Sequence, residues 1–335
     1  MLWTEIRAVG ADSPTTADDI FVRNRLVRVE NTLDPKDWHA LRTTHRSAAD
    51  SISFRESSNY LYFRASVTID RQKVDPVEVR KKGYFGSCIS TRPSLKIKFD
   101  AFTKDQAFRG LDVMTLNNNN EDPSLANQVL AYSFFQKSGV PTPRTGLAHL
   151  TVNGEDLGVY THVETINKTF TKRQFGRADG DLYEGLAGDF TENEFKYIVH
   201  KSGKDDNRRE LTKFFGMIRK PGPLSLSSLE EYMDLDAFIR FWAAEVLIGN
   251  EDGYPGNRNN YYLYRDRKSA KFHFIPWGAD TSFREGPFDK SDESKPKSVW
   301  IEGALCRRLW ELPEVQTRYK NEITRLLKTF GQKME

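Results

Sequence analysis

The feature that most constrains the fold is a long apolar helical segment that ends directly in a polar turn. The segment LEEYMDLDAFIRFWAAEVLIGN (229–250) is apolar on most of its circumference, which is typical of a helix buried in a core. Asp234 is placed to cap its start, and Gly249 is placed to end it. The second half of the chain is therefore expected to fold around a buried helix that delivers the residues after 250 to one place.

Two acids and an amide flank a predicted hairpin just after this helix. Asp252 and Asn257 lie in the polar turn, the strands are YYLY (261–264) and FHFIPW (272–277), and Asp280 follows the second strand. Folding of the hairpin would bring the three side chains together. A protein-kinase-like site uses one acid to orient a hydroxyl, and an amide and a second acid to hold metal ions. The D-x-x-x-x-N spacing alone is equally compatible with Asx-turns in a loop rich in Gly and Pro.

A glycine-containing turn before a basic strand is a second candidate element. PVEVRKK (76–82) leads through GYFGS (83–87) to PSLKIKF (93–99). Glycines let backbone amides approach an anion, and a lysine one strand later can reach phosphates. The candidate anion-binding residues are Arg80, Gly83, Gly86, Ser87, Lys96 and Lys98. Lys96 and Lys98 share one strand face, so surface charge on an edge strand remains an alternative.

The rest of the chain predicts strands first and helices later. Alternating residues at 25–31 and 59–70 predict half-buried strands, and Asn153-Gly154 predicts a hairpin. Residues 122–138 predict a helix with Asp122 as its N-cap, and no glutamate lies on it. Two further helices are expected around Pro313.

Composition excludes several classes of protein. Of the 335 residues, 38% are hydrophobic, and the net charge is only +3, so we expect no nucleic-acid binding. No apolar run is long enough to span a membrane, and the first residues lack the apolar core of a signal peptide. The six histidines show no paired spacing that favours zinc. Cys88 and Cys306 are either two thiols or one disulfide.

Four ordered blocks resemble the CotH family, the spore-coat atypical protein kinases. The blocks are LNNNNEDPS (116–124), VNGEDLGVYTHVE (152–164), the polar loop 249–260 and IPWGADTSF (275–283). The resemblance implies an α+β, two-lobed, atypical protein-kinase-like fold. After an irregular lead-in (1–17), an ATP-binding N-lobe (18–164) would hold a mainly antiparallel sheet and one helix. A mainly helical C-lobe (165–335) would hold the catalytic and metal-binding residues.

The resemblance also implies roles for single residues. Asp252 would be the catalytic residue that orients and deprotonates the hydroxyl, and the catalytic Lys96 would hold the phosphates of ATP. Asn257 and Asp280 would ligate Mg²⁺ or Mn²⁺. Glu164 would lie near the adenine at the hinge, although a cross-strand pair on the sheet surface explains it equally well. Two departures stand out: Gly278 replaces an acid that many members carry, and Lys96 has no helix glutamate as its partner.

The function implied is transfer of the γ-phosphate of ATP to Ser, Thr or Tyr hydroxyls of a protein substrate. A kinase-fold enzyme that transfers AMP or ligates an amino acid is an alternative. A nucleotide-binding assembly protein of a coat or envelope is another. The resemblance favours an extracytoplasmic setting such as a spore coat.

Overall fold

A closed β-barrel forms the first lobe of the computed structural model, which describes residues 16–22, 24–44, 60–283 and 298–331. Its strands are β1 (Leu26–Leu33), β2 (Phe63–Ile69), β3 (Gln72–Lys81), β4 (Leu95–Lys98), β5 (Val113–Asn117), β6 (Thr145–Val152) and β7 (Glu155–Val163). The strand order is β1-β2-β3-β4-β5-β7-β6, and all pairings are antiparallel except the parallel β1–β6 pair that closes the barrel.

Alternation of apolar and polar residues sets the two faces of the barrel wall. Leu95 and Ile97 of β4 are fully buried inside, whereas Lys96 and Lys98 point outward. The predicted Asn153-Gly154 hairpin is confirmed, because both residues have positive φ values of 51° and 83° between β6 and β7. Helix α1 (Pro35–Thr43) packs two buried side chains, Trp38 and Leu41, onto the barrel core.

The second lobe combines helices with a four-stranded antiparallel sheet. Its strands are β8 (Asp181–Gly185), β9 (Ile198–Ser202), β10 (Tyr261–Arg265) and β11 (Phe272–Pro276), in the order β11-β10-β8-β9. The helices after α1 are α2 (Asn127–Ser138), α3 (Lys168–Phe175), α4 (Arg209–Ile218), α5 (Leu226–Glu230), α6 (Leu235–Leu247), α7 (Tyr254–Asn257), α8 (Ala304–Trp310) and α9 (Pro313–Gly331). The predicted two-lobed α+β class is confirmed, with a sheet in both lobes.

The buried helix expected from residues 229–250 is α6. Asp234 caps it by accepting a hydrogen bond from the Ala237 N–H at 3.0 Å. Phe238 and Trp242 are almost fully buried and lie in a core that the helices share with the second sheet. Burial of a large aromatic side chain contributes roughly 2–3 kcal/mol, so this core fixes the end of α6 firmly.

Helix α2 begins later than the sequence predicts. Asp122 does not cap it directly, since the helix starts at Asn127 and Leu125 has a φ of +59°, which interrupts helical geometry. The Asp122 carboxylate instead accepts hydrogen bonds from the N–H groups of Ser124 and Asn127. Buried residues of α2, among them Tyr132 and Phe135, belong to the core of the second lobe.

Other expectations are settled by single observations. Cys88 and Cys306 are free thiols, so the disulfide alternative is wrong. Among the described residues, no helix combines the length and the apolar composition needed to cross a bilayer. Most of the lead-in predicted for residues 1–17 lies outside the described residues.

Candidate active site

Asp252 lies in the polar turn after α6, where it is surrounded by amide side chains. Its Oδ1 accepts a hydrogen bond from Asn257 Nδ2, and its Oδ2 accepts one from Asn260 Nδ2, each at 2.6 Å. Asn259 Nδ2 approaches both oxygens at 3.4 Å. Burial raises the pKa of Asp252, and the three amides oppose that shift. The predicted acid and amide are therefore adjacent, and the carboxylate is held in one orientation.

Asn260 links this turn to the segment that carries Asp280. A Cβ atom at Gly278, where φ is +55°, would lie 2.6 Å from Asn260 Cγ. Many members of the family that the sequence resembles carry an acid at this position. In this chain glycine is required, because the Asn260 amide fills the space that a side chain at position 278 would need. Asp280 follows in a short 3₁₀ helix (Ala279–Thr281), and its carbonyl oxygen accepts a hydrogen bond from Asn127 Nδ2 of α2 at 3.2 Å.

Asp280 faces a lysine that the sequence analysis missed. Burial raises the pKa of Asp280 to about 6; Lys82 opposes the shift, while Asp252 and Glu121 add to it. Burial also lowers the pKa of Lys82 to about 8, and Asp280 is the first charge that counteracts this. Lys82, which directly follows β3, is thus the lysine that the fold brings close to the predicted acid Asp280.

Lys82 is tied to helix α2 through an amide instead of a carboxylate. Its Nζ donates to Asn117 Oδ1 at 2.6 Å, and Asn117 Nδ2 donates to Gln128 Oε1 at 2.8 Å. Protein kinases pair a phosphate-binding lysine with a helix glutamate, whereas here two amides connect Lys82 to α2. The sequence signal was a lysine directly before Gly83, which the strand pattern at 76–82 concealed. Lys81, its neighbour, donates to the backbone carbonyls of Arg42, Thr44 and Cys88.

Lys96 lies on the same outer wall as Lys82 but faces a different carboxylate. It pairs in register with Arg80 of β3, and burial lowers its pKa to about 8; Arg80 adds to the shift and Glu184 opposes it. Glu184, in β8 of the second sheet, accepts a hydrogen bond from the Tyr262 hydroxyl at 2.7 Å and pairs with Lys201 at 3.1 Å. The basic barrel wall of Lys82, Lys96 and Arg80 therefore faces carboxylates of the second lobe, Asp280 and Glu184, and we call the region between them the cleft.

The remaining predicted anion-binding residues lie at the rim of this wall. Arg80 Nε donates to the Tyr62 hydroxyl at 3.0 Å, and Lys98 lies 3.7 Å from Asp100. The Gly83–Ser87 turn packs against the amide-rich block, because a Cβ at Gly86 would lie 2.5 Å from Asn120 Nδ2. The Ser87 N–H is already used, since it donates to the Tyr84 carbonyl.

Glu164 belongs to an ion-pair cluster. Its Oε1 accepts from Arg144 at 2.7 Å and from Arg173 at 2.9 Å, and its Oε2 accepts from Arg173 at 2.7 Å. The Arg144 backbone N–H also donates to Oε2 at 3.0 Å. The carboxylate is almost fully buried, and both oxygens are occupied. These contacts account for Glu164 without any ligand.

The donor set of the cleft suits a hard divalent cation. Mg²⁺ prefers oxygen ligands and is usually held by one or two carboxylates together with substrate phosphates and water. Asn257 uses its Nδ2 on Asp252, so its Oδ1 is the atom that could act as an oxygen ligand. In the described part of the chain, no three His, Cys, Asp or Glu side chains gather to hold an ion by themselves.

Comparisons with known proteins identify the family of the chain. A family model described as CotH kinase protein matches residues 79–333, more than half of the chain, which confirms the resemblance drawn from the four blocks. The inner spore coat protein H of Bacillus subtilis (strain 168) is 26% identical over 243 residues, covering 68% of this chain and 66% of that protein. The inner spore coat protein H-like protein of the same organism is 26% identical over 255 residues, 74% of each chain.

Among solved structures, the Helicobacter pylori proinflammatory kinase CtkA matches with 14% identity and a TM-score of 0.32. The match covers 71% of this chain and 64% of that one.

Proposed function

Because the chain belongs to the CotH kinase protein family, we propose that it is an ATP- and divalent-metal-dependent protein kinase. It transfers the γ-phosphate to Ser, Thr or Tyr hydroxyls of a protein substrate. One observation carries the proposal: Asp252, held by three amides, lies within electrostatic range of Asp280, which in turn faces Lys82 on the opposite wall of the cleft. Asp280, the proposed acid for metal, thus interacts electrostatically with both the proposed acid for the hydroxyl and the proposed lysine for phosphate.

The chemistry assigned to these residues is mainly positioning and charge neutralisation. The substrate hydroxyl donates a hydrogen bond to the Asp252 carboxylate, which orients its oxygen toward the γ-phosphorus. As the new P–O bond forms, the bond from the γ-phosphorus to the β–γ bridging oxygen breaks. The hydroxyl proton passes to Asp252, and ADP leaves with the bridging oxygen.

The basic wall holds the phosphates during this transfer. Lys82 and Lys96 would contact them, and Arg80 lies beside both lysines. Asn257 and Asp280 would hold the metal ion, which when bound supplies positive charge to the β- and γ-phosphate oxygens. Lys98 and the Gly83–Ser87 turn remain outer candidates for phosphate contacts.

The class of substrate and the cellular location of the protein are also part of this proposal, and both rest on the names of its relatives. Two relatives are named as spore coat proteins, so we place this chain in a coat or another extracytoplasmic structure, acting on a protein there. The chain spans about two thirds of the first of these relatives.

The experiment that tests the proposal compares two labels on one nucleotide. The protein is incubated with Mg²⁺ or Mn²⁺, a generic protein acceptor, and ATP labelled at either the α- or the γ-phosphorus. Label transferred from the γ position alone is the expected result. Transfer from the α position would instead indicate AMP transfer. Absence of both labels, with ATP still bound, would leave amino-acid ligation or an assembly role.

A further inference from the structure

Glu245 is a fully buried acid of α6 that lies directly beneath the turn carrying Asp252. Its Oε2 accepts a hydrogen bond from Asn250 Nδ2 at 2.7 Å, and the Asn250 backbone N–H donates to the Glu245 carbonyl at 2.9 Å. A Cβ atom at Gly253 would lie 1.8 Å from the same Oε2. The acid therefore contacts the turn two residues before Asp252, at Asn250, and one residue after it, at Gly253.

Two oxygen atoms of this contact have no donor within the described part of the chain. They are Oε1 of Glu245 and Oδ1 of Asn250, both buried. Each belongs to a planar group whose other polar atom is already joined by the 2.7 Å hydrogen bond. A buried acceptor without a donor is unfavourable, so two on adjacent groups need an explanation.

We propose that Glu245 is a neutral carboxylic acid that forms a cyclic acid–amide pair with Asn250 and so positions the turn of Asp252. A proton on Oε1 donates to Oδ1 of Asn250 while Asn250 Nδ2 donates to Oε2. One proton then satisfies both orphan oxygens. Glu245 is a positioning residue, and its effect on catalysis rests on the proposed function of Asp252.

The electrostatic surroundings agree with the geometry. The titratable groups that face Glu245 from neighbouring elements are Asp252 from the turn, Tyr132 from α2 and Cys306 from α8. None of these three carries positive charge. Burial raises the pKa of Glu245 well above its ordinary value; the hydrogen bond from Asn250 opposes the shift, and the charge of Asp252 adds to it. Neutrality also avoids a second negative charge behind Asp252.

The test is the pH dependence of stability in the Glu245→Gln variant. Glutamine reproduces the ring, since its Nε2 donates to Asn250 Oδ1 and its Oε1 accepts from Nδ2, but it never ionises. The folded wild type binds a proton on Glu245 that the unfolded chain releases above its ordinary pKa of 4.5. Wild-type stability therefore falls as pH rises above that value, up to the folded pKa, and the variant escapes this loss.

We expect the melting temperature of Glu245→Gln to equal or exceed that of the wild type, with a gap that widens from pH 5 to pH 8. The matched contrast is Asp189→Asn. Three groups donate hydrogen bonds to the buried Asp189 carboxylate: the N–H groups of Phe190 and Ala304 and the hydroxyl of Tyr254. That variant should be destabilised at every pH, since its new NH₂ group has no acceptor there.

A Glu245→Gln variant that is less stable than wild type, or that fails to fold, would overturn the proposal. Activity supplies an independent readout: Glu245→Ala should lose phosphoryl transfer and Glu245→Gln should restore most of it. If the protein transferred no phosphate at all, the proposed function would fail, yet the pH dependence of melting would still decide the state of Glu245.

Discussion

Lys82 donates a hydrogen bond from its Nζ to Oδ1 of Asn117, at 2.6 Å, on the barrel wall that faces the second lobe. Asn117 Nδ2 in turn donates a hydrogen bond to Gln128 Oε1 of α2. Helix α2 also contacts the turn of Asp280 through Asn127. One helix therefore supports both the lysine and the acid that face each other across the cleft, so a shift of α2 would move both.

The two lysines of the barrel wall should differ in their contribution to catalysis. Lys82→Met should lower kcat/KM for ATP by about 10- to 100-fold, the value of one hydrogen bond to a charged group. Lys96→Met should cost less, because Lys96 faces Glu184 and not Asp280. Steady-state kinetics of both variants at pH 7 check the order. A larger loss for Lys96→Met would restore Lys96 as the principal phosphate lysine.

Gly278 should be intolerant of any side chain. Gly278→Ala combines a φ of +55° with a clash against Asn260, so it should cost roughly 1–3 kcal/mol of unfolding free energy and disturb Asp252. Gly110→Ala is the control, since Gly110 has a φ of +83° but open space around it. Urea denaturation and transfer assays should show strain in both variants and loss of activity only in the first. Equal activity in the two variants would show that the position of Asn260 does not matter for transfer.

Glu164 should matter for stability and not for nucleotide binding. Glu164→Gln leaves Arg144 and Arg173 without a buried counter-charge, which should cost about 3 kcal/mol of unfolding free energy. Glu155→Gln, which breaks a more exposed pair with Arg42, should cost about 1 kcal/mol or less. Denaturation curves and ATP titrations measure both quantities. Weaker ATP binding with unchanged stability would return Glu164 to the adenine hinge.

The pH dependence of ATP binding should reflect the two lowered lysine pKa values. Burial lowers the pKa of Lys82 and of Lys96 from 10.5 to about 8, so the free cleft loses positive charge as pH rises through 8. The Kd for ATP should therefore increase between pH 7 and pH 9, and Lys82→Met should flatten part of that increase. Titration calorimetry at constant ionic strength measures both.

The same two lysines should make the free energy of unfolding increase with pH, whereas they make the affinity for ATP decrease. Their folded pKa values lie below the unfolded value, so between pH 8 and pH 10.5 the unfolded chain binds more protons than the folded one. Their contribution to the unfolding free energy therefore increases with pH in this window while ATP binding weakens. ATP binding that tightened with pH would contradict these assignments.

Local sequence signals predicted most elements and the adjacency of two candidate site residues. The cap at Asp234, the Asn-Gly hairpin and the adjacency of Asp252 and Asn257 depend on residues close together in the chain, and the structure has all of them. Periodicity and turn chemistry are local properties, which a single sequence displays directly.

What the sequence could not predict depends on long-range pairing. The parallel β1–β6 pair closes the barrel through residues about 120 positions apart, and no local pattern encodes that choice. Lys82 enters the cleft only because the register of β3, β4 and β5 places it beside Asn117, and the strand pattern favoured Lys96 instead. The Arg144 and Arg173 contacts of Glu164 are likewise tertiary.

The most direct test of the account is γ-phosphate transfer by Asp252→Asn and Asp280→Asn, with Glu251→Gln as the control in the same turn. The first variant should lose about 100- to 10,000-fold in transfer rate, because the hydroxyl loses its proton acceptor. The second should lose about 100-fold or more, because a metal ligand supports several kcal/mol of charge stabilisation. The control should keep wild-type transfer. Wild-type transfer by either aspartate variant would contradict the assignment of this cleft as the active site.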